Sequence, residues 1–267
     1  MIDWRGTASG VRRTARTLRD GPTVTYGLIA ACVLLFALSP AGGLNPSYGT
    51  GDTLLAAQGA YFRHWGVIPD DLAHLGRLRP GALLTPLTAL FVHGSWLHLL
   101  GNMLFLYVFG AMAEKRMGPL EFGLFYLVCG YLALYGYALA HADSGQTLVG
   151  ASGAISGVLG AFLHLFPRSR VTSLFPFLFF LPLRFPAWVV LVFWFAIQWL
   201  AARTAEAGPG VAYLAHVIGF ALGFLYAWVR FGGKGRVRAA LASKKGGGDR
   251  RARVTPPAAA TEGESQP

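Results

Sequence analysis

The chain has 267 residues, of which 54% are hydrophobic and 13% charged, and its formal net charge is +11. Its mean hydropathy is +0.47, which is far from the balance of a soluble globular domain. We therefore expect an all-α polytopic membrane protein.

The apolar residues fall into six blocks, each of the length that crosses a bilayer, about 17 to 25 residues. We predict spans at roughly 24–40, 92–113, 119–141, 148–166, 186–203 and 210–230. Residues 174–183 are apolar as well, but this stretch is short and contains Pro176 and Pro182. It is predicted to be interfacial or re-entrant instead of forming a seventh span.

The basic residues predict the orientation of these spans. Of the 23 Lys and Arg residues, 19 lie before the first span or after the second, the fourth or the sixth. The other four lie in the alternate loops, at Arg63, Arg77, Arg79 and Arg203. This excess on one side predicts that both termini are cytoplasmic, which requires an even number of spans.

The chain divides into three predicted regions. A basic cytoplasmic segment at 1–22 precedes a six-helix membrane domain at 23–231, whose external loop covers about 41–91. A disordered basic cytoplasmic tail is expected at 232–267. Basic runs beside spans are typical of contacts with anionic lipids, so no nucleic-acid partner is expected. The first span could instead be a cleaved signal peptide, but its long basic start argues against this.

Polar residues inside the spans are the candidates for function, because each is costly in a bilayer. No Asp or Glu lies in the middle of a span, which argues against aspartyl proteolysis and against a carboxylate proton relay. No H-E-x-x-H motif occurs, and neither a metal nor another cofactor is expected. The polar residues that remain are His98, Asn102, Ser152, Ser156, Gln198 and His216.

The predicted topology brings several of these residues to one depth. The even-numbered spans enter from outside, so Ser152, about four residues into its span, and His216, about six residues in, lie at similar levels. His98 and Asn102 enter from the same side and share one helix face. His93 is predicted to lie on the other side of that helix.

Small residues indicate which helix faces meet. They form two stripes, one in the fourth span (Gly150, Gly153, Gly157, Gly160) and one in the sixth (Ala215, Gly219, Gly223). Such stripes let membrane helices approach closely. If the two stripes face each other, Ser152 and His216 come within hydrogen-bond distance. The alternative is packing alone, with the serine hydroxyl bonded to its own helix.

This set of residues has the parts of a nucleophilic site. A serine becomes a nucleophile when a histidine takes its proton. The oxyanion of a tetrahedral intermediate needs donors, which the Asn102 amide, the His98 ring and the Ser152 backbone N–H offer. No acidic residue is placed to orient His216, so a dyad is expected instead of a triad.

Three segments resemble, in order and spacing, the signatures of the rhomboid intramembrane serine proteases. They are "HGSWLHLLGNM", "GASGAISGVLG" and "AHVIGFALGF", and the resemblance extends from about Leu83 to Val229. It implies a rhomboid-like bundle of six helices that hydrolyses peptide bonds in or near transmembrane segments of other membrane proteins. We expect a multi-pass protein of a bacterial inner membrane.

The resemblance also implies a role for each site residue. Ser152 would be the nucleophile and His216 the general base, and His98 and Asn102 would be the oxyanion donors. Gly150 and Gly153 would leave room for the substrate backbone beside Ser152.

Two positions depart from the family pattern. Many relatives carry an aromatic residue four positions after the nucleophile, packed on the catalytic imidazole, where this chain has Ser156. Many also carry a Trp-Arg pair before "LLTP", where this chain has Gly81 and Ala82. The alternative functions are an inactive rhomboid-like protein that binds membrane clients, and a transporter or channel. A transporter would show repeat symmetry and a polar pathway, and the sequence has neither.

Overall fold

The computed structural model describes residues 21–74, 80–175, 181–204 and 211–248. Its α-helices, numbered in chain order, are α1 (Thr23–Leu38), α2 (Gly51–Trp65), α3 (Pro69–Ala73), α4 (Thr85–Thr88), α5 (Trp96–Met117), α6 (Pro119–Ala140), α7 (Ser152–Leu165), α8 (Ala187–Thr204) and α9 (Tyr213–Gly248). Two strands, β1 (Arg170–Phe175) and β2 (Leu181–Pro186), pair antiparallel between α7 and α8.

Among the described residues, four helices are long and apolar enough to cross a membrane: α5, α6, α8 and the Tyr213–Gly232 part of α9. The other two predicted spans correspond to α1 and α7, which are apolar but have only 16 and 14 residues. At 1.5 Å per residue these two are about 24 and 21 Å long, against a hydrocarbon core of about 30 Å. The fold is that of a polytopic helical membrane protein.

Local sequence signals define where α5 and α6 begin. The side chain of Ser95 accepts a hydrogen bond from the backbone N–H of His98 and caps the start of α5. One turn inside α5, Leu106–Gly110, is π-helical. Gly118, with a φ of 94°, ends α5, and Pro119 starts α6 directly after it. The two helices are therefore joined by a single residue.

A buried carboxylate joins α1 to α5. Glu114, near the end of α5, is 2% exposed and accepts hydrogen bonds from the backbone N–H groups of Val24 and Thr25, at 2.9 and 2.7 Å. The Thr25 hydroxyl donates a third hydrogen bond of 2.7 Å. The first N–H groups of a helix lack intrahelical partners and favour negative charge. Since the start of α1 meets the end of α5, the first two predicted spans run in opposite directions.

The centre of the bundle is α7, whose residues from Gly153 to Phe162 are all buried. Its glycines face those of α9, as the sequence predicts. A Cβ atom on Gly219 would run into the carbonyl oxygen of Gly153, and one on Gly223 into that of Gly157. The two helices therefore touch backbone to backbone, which only glycine permits.

The stretch 174–183, predicted as interfacial or re-entrant, takes part in the β1–β2 hairpin wherever the structure describes it. Thr172 lies opposite Arg184, and Pro186 stands at the end of the pairing, where a missing N–H is tolerated. Residues 176–180 lie outside the described residues.

In the structure α9 continues as a helix to Gly248. The segment "RVRAALASKK" is rich in Arg, Ala, Leu and Lys, which favour helix, and disorder of the tail at 232–267 stays a prediction. Two compact units are distinguished, Met1–Trp228 and Val229–Pro267, and the site described below belongs to the first. Residues 1–20 and 249–267, which hold most of the basic N-terminal segment and the end of the tail, lie outside the described residues.

Candidate active site

Ser152 is the first residue of α7, whereas the predicted span begins at 148. The residues before it are fixed by backbone hydrogen bonds. Val67 and Leu148 exchange N–H···O bonds of 2.9 and 2.7 Å, and the Gly150 N–H donates to the carbonyl of Ala89 at 2.9 Å. Gly150 has a φ of 120°, a conformation that interrupts helix and favours glycine. The serine is thus held at a helix N-terminus, just after an extended segment.

Ser152 and His216 lie in direct contact although 64 residues separate them in the chain. The Nε2 atom of His216 is 2.8 Å from the Oγ atom of Ser152. On its other side, His216 Nδ1 is 2.8 Å from the Oε1 atom of Gln198, on α8. The sequence does not assign Gln198 a role. The one feature that could have drawn attention to it is that its amide lies in an otherwise apolar stretch of helix. The side chain is buried, like that of His216.

His98 and Asn102 point towards the backbone that precedes Ser152. A Cβ atom on Gly150 would lie 2.7 Å from His98 Nε2 and 3.7 Å from Asn102 Nδ2. The Gly94 N–H donates to His98 Nδ1 over 3.5 Å. In a neutral imidazole that accepts at Nδ1, the proton is on Nε2. His98 therefore presents an N–H donor to this side of the site.

Asn102 supplies a second free donor. Its side chain is 8% exposed, and its Nδ2 atom has no hydrogen-bond partner within the described part of the chain. Leaving a buried amide unpaired costs about 1–3 kcal/mol, so such a group is usually satisfied by water or by a ligand. The N–H groups in the first turn of α7 also lack intrahelical partners. These donors can together stabilise one anionic oxygen.

These side chains line a cavity of about 550 Å³. Ser152 and His216 meet His98, Asn102 and Gly150 there, and apolar residues of α5, α6, α7, α8 and α9 complete the wall. The volume lies in the usual range for ligand pockets, about 300–1,000 Å³. Gly153 lies elsewhere, because its Cβ position faces Ala133 of α6 at 3.1 Å and not the cavity. Gly153 thus leaves room for the neighbouring helices α6 and α9, and room for substrate at this residue stays a prediction.

Ser156 stands where many relatives have an aromatic residue, and Trp194 provides an aromatic contact to His216 instead. The Ser156 hydroxyl donates to the carbonyl oxygen of Ser152 at 2.6 Å, a bond within its own helix. The ring of Trp194, on α8, stacks on that of His216 with centroids 6.1 Å apart and planes at 28°. The stacked aromatic contact to the imidazole therefore comes from another helix, α8.

His93 lies against the site, contrary to the prediction. Its ring is 5.3 Å from that of His98 between centroids, in a T-shaped arrangement. Since α5 begins at Trp96, the helical spacing used for the prediction does not extend back to His93. Both ring nitrogens of His93 are buried without a hydrogen-bond partner among the described residues.

The fold and this cavity define a polytopic helical membrane protein with a paired serine and histidine. A family model, the Rhomboid domain, matches residues 80–233, more than half of the chain. The chain belongs to the rhomboid family, which confirms the resemblance seen in the sequence.

Three curated relatives illustrate the similarity. Rhomboid protein 1, mitochondrial, from Saccharomyces cerevisiae is 35% identical over 142 residues, covering 52% of this chain and 39% of the yeast protein. Rhomboid protease GluP from Bacillus subtilis is 31% identical over 155 residues, 56% of this chain and 26% of GluP. RHOMBOID-like protein 12, mitochondrial, from Arabidopsis thaliana is 28% identical over 208 residues, 69% and 59% of the two chains. The chain thus spans less than two thirds of the length of each.

Proposed function

We propose that this chain is an intramembrane serine endopeptidase that hydrolyses peptide bonds in or near transmembrane segments of other membrane proteins. Ser152 acts as nucleophile and His216 as general base. The observation that carries the proposal is the 2.8 Å separation of Ser152 Oγ and His216 Nε2 inside a cavity that also holds unpaired donors. GluP, which is named as a rhomboid protease, supports the same activity.

The proposed reaction uses the two residues in sequence. His216 Nε2 takes the Ser152 proton as Oγ attacks the carbonyl carbon of the scissile bond. The oxyanion that forms accepts hydrogen bonds from Asn102 Nδ2, His98 Nε2 and the Ser152 backbone N–H. Collapse of this intermediate breaks the C–N bond, and the departing amine takes the proton from Nε2. Water, deprotonated by the same nitrogen, then attacks the acyl carbon. The C–Oγ bond breaks, and Ser152 Oγ leaves with the proton from Nε2.

We further propose six spans with both termini cytoplasmic, and a membrane domain at 23–231. The charge distribution supports this topology, and so does the Glu114 contact, which puts the start of α1 beside the end of α5. Reporter fusions at both ends of the chain test it. A C-terminal reporter that is active only on the external side would overturn it.

The proposed partners are transmembrane protein substrates, together with anionic lipids that contact the basic segments beside the spans. The expected bacterial inner membrane gains no support from the relatives, because several are named as mitochondrial or chloroplastic.

The activity is tested with the purified full chain in detergent. It should react with a fluorophosphonate probe and cleave a model single-span substrate, and Ser152→Ala should abolish both. Ser47→Ala is the control, since this exposed serine bonds only to its neighbour Asn45. A wild type that binds and crosslinks to the substrate but neither labels nor cleaves would instead favour an inactive, client-binding protein.

A further inference from the structure

The role of Gln198 follows from its contact with His216. We propose that Gln198 is a positioning residue, which holds His216 in the tautomer and orientation that a general base needs. This inference rests on the proposed function and adds a third member to the expected dyad. The third member is a neutral amide where a carboxylate would stand in a triad.

The geometry gives His216 two supports on α8. Trp194 and Gln198 are one helical turn apart and therefore share a face of α8. Gln198 Oε1 is 2.8 Å from His216 Nδ1, and the Trp194 ring stacks on the imidazole. The hydrogen bond fixes the ring in its own plane, whereas the stack limits tilting out of that plane.

The amide oxygen selects one tautomer. An amide oxygen can only accept a hydrogen bond, so His216 Nδ1 must carry the proton when it faces Gln198 Oε1. A neutral imidazole with its proton on Nδ1 has a lone pair on Nε2, the atom 2.8 Å from Ser152 Oγ. This is the tautomer that can remove the serine proton. The opposite tautomer would place an N–H against the hydroxyl and leave the nucleophile without a base.

A neutral side chain such as Gln198 is a favourable partner for His216 at this buried position. Both Gln198 and His216 are buried, at 9% and 7% exposure. A carboxylate taken out of water carries a large desolvation penalty, whereas an amide carries a smaller one. The carbonyl dipole still stabilises the imidazolium that forms during attack, because its oxygen faces Nδ1 before the reaction begins.

Trp194 and Gln198 lie on α8, the least buried of the four helices that are long enough to cross a membrane. In the most apolar window of α8, 11% of the residues are buried, against 39% to 44% for α5, α6 and α9. A smaller share of α8 than of the other three helices is therefore packed inside the bundle. The alternative role of the Gln198 hydrogen bond is to pack α8 against α9, which is a common role of interhelical hydrogen bonds in membranes. The experiment must separate packing from positioning.

Three variants make that separation. Gln198→Met keeps the length of the side chain but removes its oxygen, and Gln198→Glu keeps an oxygen at the same reach. Gln58→Met is the matched control, because Gln58 donates a comparable hydrogen bond to the carbonyl of Pro40 away from the site. Each purified full chain is assayed for kcat and KM on the model single-span substrate.

If Gln198 positions His216, the three variants should differ in kcat in a specific way. Gln198→Met should lower kcat roughly tenfold with KM within about twofold, as expected for one hydrogen bond that strengthens in the transition state. Gln198→Glu should restore most of kcat, and Gln58→Met should match the wild type. Unchanged kcat in Gln198→Met would overturn the proposal, and so would an equal loss of kcat in both Gln198 variants.

A second measurement does not need catalysis. In protein labelled with ¹⁵N-histidine, the His216 signals are those missing from His216→Ala. The wild type should show the tautomer protonated at Nδ1, and Gln198→Met should show a mixture of tautomers. Equal tautomer populations in the two proteins would overturn the role of Gln198. If the wild type has the expected tautomer but neither labels nor cleaves, the proposed function fails while the role of Gln198 stands.

Discussion

His216 Nε2 and Ser152 Oγ lie 2.8 Å apart, and the helices that carry them touch through glycine backbones. If the pair acts as one unit, removing either member should remove its whole contribution. We expect Ser152→Ala and His216→Ala each to lower cleavage to a small residual rate, and the double variant to be no slower than either. Single-turnover rates with the model substrate measure this. A double variant slower than both single variants would show that the two residues act independently.

Asn102 should affect turnover more than stability. As an oxyanion donor, its replacement by Ala should lower kcat about 10²- to 10³-fold. As an interhelical hydrogen-bonding group it would contribute only about 0.6 kcal/mol to stability. Steady-state kinetics and thermal unfolding of Asn102→Ala distinguish the two roles. Asn45→Ala, at the exposed turn that begins with Pro46, serves as the control, and normal turnover of Asn102→Ala with reduced stability would refute the donor assignment.

Gly219 should tolerate no side chain. A Cβ atom there would collide with the carbonyl oxygen of Gly153, so α7 and α9 would have to separate. We expect Gly219→Ala to lower the free energy of unfolding by about 1–3 kcal/mol and to reduce cleavage as well. Gly27→Ala is the matched control, because nothing lies within 4 Å of its Cβ position in α1. Equal melting temperatures for the two variants would contradict the close contact.

Glu114 should be required for stability through its contacts with α1. Glu114→Ala leaves the part-buried N–H of Val24 and the buried N–H of Thr25 without an acceptor, a loss of about 2–3 kcal/mol. Thermal unfolding of Glu114→Ala, Thr25→Val and the double variant gives the coupling between these residues. If the three proteins melt at the wild-type temperature, the carboxylate does not anchor α1.

Ser156 should be nearly neutral for catalysis. Its hydroxyl donates to the Ser152 carbonyl, and both nitrogens of His216 have other partners. Ser156→Ala should therefore keep kcat within about threefold of the wild type, less than one typical hydrogen bond is worth. A tenfold fall would mean that this hydroxyl, and not the stacked Trp194, supports the imidazole.

The sequence predicted the parts of the site that periodicity encodes. The glycines of α7 and α9 recur at helical spacing and have no reason to do so unless two backbones meet, so the facing of these helices could be inferred. The four-residue spacing of His98 and Asn102 likewise put both on one face of α5. In each case the information lies within a single helix.

Features that depend on irregular backbone or on distant partners were missed. Hydropathy put Ser152 inside a span, because it does not register that Leu148 pairs with Val67 or that Gly150 adopts a positive φ. The contact of Gln198 with His216 joins two helices whose relative rotation no repeat pattern specifies. The described residues of the apolar run 174–183 lie within the hairpin β1–β2, and hydropathy does not show which residues of the two strands pair.

The glycine contact between α7 and α9 also bears on how this chain can diverge. Because main-chain atoms set the spacing of α7 and α9, no large side chain has to be preserved between these helices to maintain it. The outward residues of α9, such as Leu225 and Trp228, are exposed and take no part in that contact. Their identity is therefore free to drift with the thickness and composition of the host bilayer, while Ser152 and His216 stay in register.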